Sequence, residues 1–146
     1  MPQTESRQTI PAIQTFHFSN DRLIAAPIDI VFEAVLQPAG PMSDMSLKLE
    51  QWPGGRWYRD LGNNTGHLWG HVQVIKPPKL LEICGPMFMS YPVASHLQYR
   101  LAEEAAGTRL TLTHQAIGLL APEHLEGMQK GWNSILDELK ALSEKK

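Results

Sequence analysis

A single cysteine, Cys84, stands in 146 residues, so no internal disulfide can form and a reducing cytoplasm is the expected setting. No apolar run approaches the roughly 20 residues that a membrane helix needs, which excludes insertion by a helix. Charge of one sign is scarce as well. Thirteen Lys and Arg stand against fifteen Asp and Glu, for a formal net charge of -2, and with no basic block the chain has little attraction for a phosphate backbone. Nucleic acid is therefore not an expected partner. The opening MPQTESRQTI lacks both a basic start and an apolar stretch, so residues 1–12 read as a loose tail rather than a secretory signal, and without such a signal the sequon Asn63-Asn64-Thr65 carries no meaning. A nucleophile elbow, a zinc signature, a phosphate loop and a dinucleotide fingerprint are all missing. No carboxylate falls at an inward phase where it could act as a general base. Nothing in the sequence thus predicts a catalytic residue, a cofactor or a metal.

What is present is the material of one globular domain over residues 13–146: 42% hydrophobic and 19% charged residues, enough for one core and too little for two. Phe16 and Phe18 alternate within a first strand from about Ile13 to Ile24. Pro27 suits a first helical position, Asp29 suits the positive end of a helix, and Ile28, Val31, Phe32 and Val35 share one face. Pro38, Gly40 and Pro41 then stop this helix, allowing at most one further turn anchored by Met42 and Met45. From about Ser46 to Thr113, short extended runs alternate with turn signals at Pro53-Gly54-Gly55, Asn63 to Gly66, Pro77-Pro78 and Glu103 to Gly107, the pattern of an antiparallel meander. Leu97, Tyr99 and Leu101 lie on one face of one strand, and Leu110, Leu112 and His114 on one face of the next. After Pro122 the period becomes helical, with Leu125, Met128, Trp132, Ile135, Leu136, Leu139 and Leu142 in one stripe. That stripe must cover the sheet, which predicts an α+β fold: a curved antiparallel sheet of about six or seven strands gripping a long C-terminal helix, with short helices after the first strand.

Several segments in this order resemble the START-like helix-grip (SRPBCC) superfamily, in the branch related to the activator of the heat-shock protein 90 ATPase. Ala26-Pro27 with Val31-Phe32, Ala34 and Pro38 looks like the branch's opening helix, and Gly54-Gly55-Arg56-Trp57 like its glycine pair before an aromatic strand. Gly70, Ile75, Pro77, Pro78 and Leu80 resemble its middle strand and turn. Gly107 to Thr111 with His114 resembles its last strand, and Gly131-Trp132 with Leu136 and Leu139 its closing helix. The tryptophan usual after the first helix is replaced here by Gly40-Pro41-Met42-Ser43. The resemblance implies a cavity between sheet and helix, and because the superfamily hosts carriers, cyclases and co-chaperone domains, it does not choose among them.

For the lining of such a cavity the candidates are Trp57, Leu97, Tyr99, Leu112, His114, Met128 and Trp132, each of which could equally be ordinary core. Gly131 beside Trp132 is read as letting the helix approach the sheet closely. His114 is either a satisfied core histidine or, paired with Tyr99, a polar tip that orients a ligand carbonyl or hydroxyl. On the strand from Gly66 to Ile75, the apolar Leu68, Val72 and Val74 predict an inward face that leaves Trp69 exposed or at a contact surface, unless a β-bulge inverts it. His67 and His71 are about 13 Å apart on such a strand and cannot chelate one metal. Met87, Phe88, Met89 and Tyr91, with Trp69, form a possible gate or homodimer contact, and the segment can also be a plain edge strand. Cys84 reads as a buried filler.

The leading function is binding of a small hydrophobic or amphipathic ligand. A cyclase or hydrolase-like enzyme using His114 is the alternative, and a chaperone-interacting domain ranks last.

Overall fold

The computed structural model describes residues 12–37 and 42–145. The expected tail thus lies outside the described residues, except for Ala12. Alternating Phe16 and Phe18 bury one face of β1 (Gln14–Ile24). Pro27 caps α1 (Ile28–Val35), whose Ile28, Val31, Phe32 and Val35 are buried as the helical spacing requires. Met42 to Met45 then form a turn, closed by Met45 N donating to Met42 O at 3.2 Å. Six more strands follow: β2 (Leu47–Leu49), β3 (Arg56–Gly62), β4 (Thr65–Lys76), β5 (Leu80–Gly85), β6 (Val93–Glu104) and β7 (Gly107–Gly118). The chain closes with α2 (Pro122–Glu144), which begins with proline at a first-turn position.

All seven strands form one antiparallel sheet in the order β1-β7-β6-β5-β4-β3-β2. The first and last strands of the chain are neighbours, and both helices lie over the face that carries the core. Along α2, Met128, Trp132, Ile135, Leu136, Leu139 and Ser143 are buried. Its C-terminal half is tied to β1 and the turn after it by polar contacts: Asn20 Nδ2 to Asn133 Oδ1 and Lys140 Nζ to Leu23 O at 2.8 Å, and Arg22 Nε to Asp137 Oδ1 at 2.9 Å. Ala25 N adds a bond to Glu144 Oε2 at 2.8 Å. Partly exposed pairs of this kind contribute little stability individually, but together they fix where that half of the helix sits.

The expected inward face of β4 is corrected by the structure. Two residues of β4, Leu68 and Gly70, pair with adjacent residues of β3, Tyr58 and Trp57, so Trp69 is an extra residue in the ladder. A second extra residue, Gln73, lies between the pairs Val72–Ile83 and Val74–Glu82. Each bulge reverses the alternation of side chains. Trp69 is therefore inside, at 3% exposure, and Leu68 outside, at 43%, although Val72 is also buried.

The run from Pro86 to Pro92 is a loop between two inner strands rather than an edge strand. It is anchored on the bulge, where Met87 N donates to Trp69 O at 2.8 Å. Met87 adopts a φ of 63° and is fully buried, Met89 is buried too, and only Phe88 (39%) faces outward among the three. The approach of β5 to β4 at this point requires glycine: a Cβ on Gly85 would lie 2.4 Å from both Gly70 Cα and Trp69 O. Because both obstacles are backbone, Gly85→Ala is expected to cost about 2 kcal/mol or more, read as a lowered midpoint in chemical denaturation with an unchanged m-value.

Candidate ligand-binding site

The N-terminal half of α2, the Trp69 bulge and the loop after β5 enclose an open pocket of about 330 Å³, lined by Met42, Met45, Trp69, Phe88, Met128, Trp132 and Ile135, with Glu123, His124, Gly127 and Gly131 from the helix. This volume is at the lower end of small-molecule sites, and its lining is mostly apolar, as such sites are. Three methionines give it soft, polarizable walls. Met42, within the segment that stands in place of the family's usual tryptophan, forms part of one of them.

Gly131 does not serve close helix–sheet packing, as its place in the stripe had suggested. An added Cβ at Gly131, or at Gly127 one turn earlier, would meet nothing within 4 Å among the described residues. The two glycines face the empty volume. Each costs roughly 1 kcal/mol of helix stability relative to alanine, with no packing gain in return; what they provide is space.

The mouth is pinned by Tyr91. Its Oη lies 2.8 Å from His124 Nδ1 and accepts the Ala121 amide at 3.3 Å, with the Tyr91 and His124 rings stacked 5.7 Å apart. The loop from Met87 to Tyr91 thus joins α2 at one end and the Trp69 bulge at the other, and of its residues Phe88 lines the pocket.

The other residues expected in the cavity are divided among different places. Met128 and Trp132 line the pocket. Trp57 and Tyr99 line a separate void of about 40 Å³ shared with Leu81, Ile83 and Leu139, where burial holds the Tyr99 phenol well above its ordinary pKa. Leu97 and Leu112 are fully buried core. His114 and Tyr99 do not meet as a pair. Cross-strand register sets His114 opposite Leu97, and Tyr99 opposite Leu112. Instead Trp132 Nε1 donates to His114 Nδ1 at 2.9 Å, which leaves the imidazole proton on Nε2 to reach Ser95 Oγ at 3.0 Å. Phe16 and Trp132 each pack edge-on to the ring at 5.3 Å. Both nitrogens are engaged, and burial lowers the pKa of His114 to about 4. The satisfied core histidine is the reading this geometry supports. Cys84, expected as a buried filler, is half-buried on the outer face, where its Sγ lies 2.7 Å from Gln73 Oε1.

Sequence reasoning missed Met42, Met45, Gly127, Glu123 and His124 as pocket residues. Helical spacing from Met128 could have indicated His124, and spacing from Gly131 could have indicated Gly127 and Glu123.

Residues 25–144 match the family described as Activator of Hsp90 ATPase homolog 1-like protein. The chain belongs to this family. Its fold is the START-like helix-grip, as the sequence segments had implied. A protein from Rhizobium leguminosarum is 21% identical, with a TM-score of 0.72 over 94% of this chain and 100% of that one. The Mll3558 protein from Rhizobium loti is 22% identical, with a TM-score of 0.70 over 90% and 99%. DynU16, a protein in the dynemicin biosynthetic locus, is 18% identical with a TM-score of 0.62; the match covers 87% of this chain and 46% of DynU16. At these identities the likeness shows the fold of the family alone. No curated protein matches the chain in sequence. Among the described residues, no helix of this helix-grip domain is long and apolar enough to cross a membrane.

Proposed function

We propose that this protein binds a small hydrophobic or amphipathic molecule in the pocket beneath the N-terminal half of α2. The observation that carries the reading is the pair Gly127 and Gly131: a long amphipathic helix gives up stability at two positions that face an apolar volume of about 330 Å³. A helix that only had to cover the sheet would gain from side chains there. That a protein of the same fold, DynU16, stands in a biosynthetic locus is in keeping with handling of small molecules.

A catalytic role for His114 is not part of the proposal, because both ring nitrogens already have protein partners and neither needs a substrate. Binding by hydrophobic burial, with few polar contacts, is what the lining supports.

The test is native mass spectrometry of protein purified without detergent, followed by thermal-shift titration with apolar and amphipathic compounds. A co-purifying mass, or a Tm that climbs with compound concentration as mass action requires, is the expected result. At 100 times the Kd the stabilisation is about 2.7 kcal/mol. If no mass co-purifies and no compound in a broad apolar panel raises Tm, the pocket does not bind such ligands.

A further inference from the structure

The open pocket and the small inner void lie end to end under α2. The pocket follows Glu123, Gly127, Gly131 and Ile135 along the helix, and the void of about 40 Å³ continues from Ile135 to Leu139. Positions four apart form one ridge of a helix, inclined to its axis, so both spaces border the same ridge. From Gly127 to Leu139 the helix rises about 18 Å. The sheet side is continuous as well: Trp69 lines the pocket and Trp57 the void, and their rings pack edge to face at 5.1 Å.

Met42 and Ile135 are the two described residues that line both spaces, so they stand where the two meet. They differ in how far they can give way. Ile135 is β-branched and buried on the helix, which restricts its χ1. Met42, on the turn before β2, has an unbranched side chain with three rotatable bonds and a soft thioether. It is the movable half of the partition.

The void is too small to hold a ligand by itself. A water takes about 30 Å³ of liquid, so 40 Å³ admits the end of a slender chain and no ring system. Buried Leu81, Ile83 and Leu139, with the rings of Trp57 and Tyr99, give it apolar walls, whereas Glu123 and His124 belong to the open pocket. An amphiphile therefore fits tail first, with its polar end toward the mouth.

From the shared ridge and the shared Met42 we propose that the two spaces are one binding channel, and that its ligand is a slender amphiphile whose apolar tail displaces the Met42 side chain and reaches the void beside Tyr99. This rests on the ligand-binding reading above and adds the shape and class of the molecule. Met42 is the residue that sets ligand length, and straight-chain compounds are preferred over compact ring systems.

The experiment measures the affinity of linear primary alcohols, from hexanol to dodecanol, for the full chain, for Met42→Ala and for Leu49→Phe, which fills the void from β2. The position of the tail is read from NOEs between the terminal methyl and protein carrying 13C-labelled tyrosine. In the unaltered chain each added carbon is expected to tighten binding about fourfold, and the dodecanol methyl shows an NOE to the Tyr99 ring that the hexanol methyl lacks. Met42→Ala should raise the ratio of dodecanol to hexanol affinity about fourfold or more. Leu49→Phe should lower that ratio about tenfold, the worth of roughly two buried methylenes.

If no alcohol binds, the ligand-binding reading of the pocket falls and this inference with it. If the alcohols bind but the affinity ratio is the same in all three proteins, the pocket reading stands and the Met42 partition is refuted. Should either variant fail to fold, the unaltered chain still decides: saturating dodecanol with no NOE to Tyr99 overturns the proposal.

Discussion

Gly131→Leu is expected to abolish ligand binding, by more than about 100-fold in Kd, in a protein that remains folded and melts no lower than the unaltered chain. The substitution removes a helix-interior glycine, which favours the helix by up to about 1 kcal/mol, and places its side chain where an added Cβ meets no described atom within 4 Å. The leucine then occupies volume that a ligand would need. Gly131→Ala provides a graded control, with the same backbone gain and most of the pocket left open. Binding is followed by titration with whichever compound gives the largest thermal shift, and stability by chemical denaturation. A Gly131→Leu protein that binds normally would mean that the ligand sits elsewhere. One that is strongly destabilised would mean that the glycine is needed for packing after all.

His114→Ala should produce the opposite pattern, a large loss of stability. Truncating a fully buried ring opens a cavity, and it also leaves Trp132 Nε1 and the Ser95 hydroxyl without the partners they have now. Together these effects amount to about 3–5 kcal/mol. The same burial makes the native protein sensitive to acid. His114 titrates at about 4 in the folded chain against its ordinary 6.5, so between those values the unfolded chain binds more protons and stability rises with pH. The contribution is fully present above about pH 6.5 and is lost as pH falls through 4, a difference of about 3 kcal/mol. Denaturation midpoints measured from pH 7 to pH 4 check this against His114→Gln, from which that part of the slope should be missing. An unchanged slope in His114→Gln would place the acid sensitivity on other groups.

Much of the architecture is legible from local chemistry. The Asn63-Asn64 pair, with φ of 54° and 60°, is a turn that its residue types announce. The alternation of Leu97, Tyr99 and Leu101, the helical stripe after Pro122 and the proline at the start of α1 also sit where their side chains require. The site is less legible, for reasons that differ by residue. A bulge is one extra residue in an otherwise ordinary strand and leaves no compositional mark, so Trp69 reads as outward until its pairing with β3 is known. Pairing register is likewise hidden, and a shift of two residues separates a Tyr99–His114 partnership from the observed His114–Leu97 pair. Gly131 shows a third kind of ambiguity. A helical glycine signals either close approach or open space, and only the position of everything around the helix decides between them.

The two bulges of β4 have a further meaning when the strand is viewed as a sequence of odd and even positions. A regular strand keeps its parity, so the residues it offers to one side are always an even number apart, and the whole strand serves a single surface. By breaking parity at Trp69 and again at Gln73, the twelve residues of β4 escape that constraint. One end can present an aromatic wall to the pocket while Val72, an odd step away, faces the central core, and the polar His71 between them stays in water.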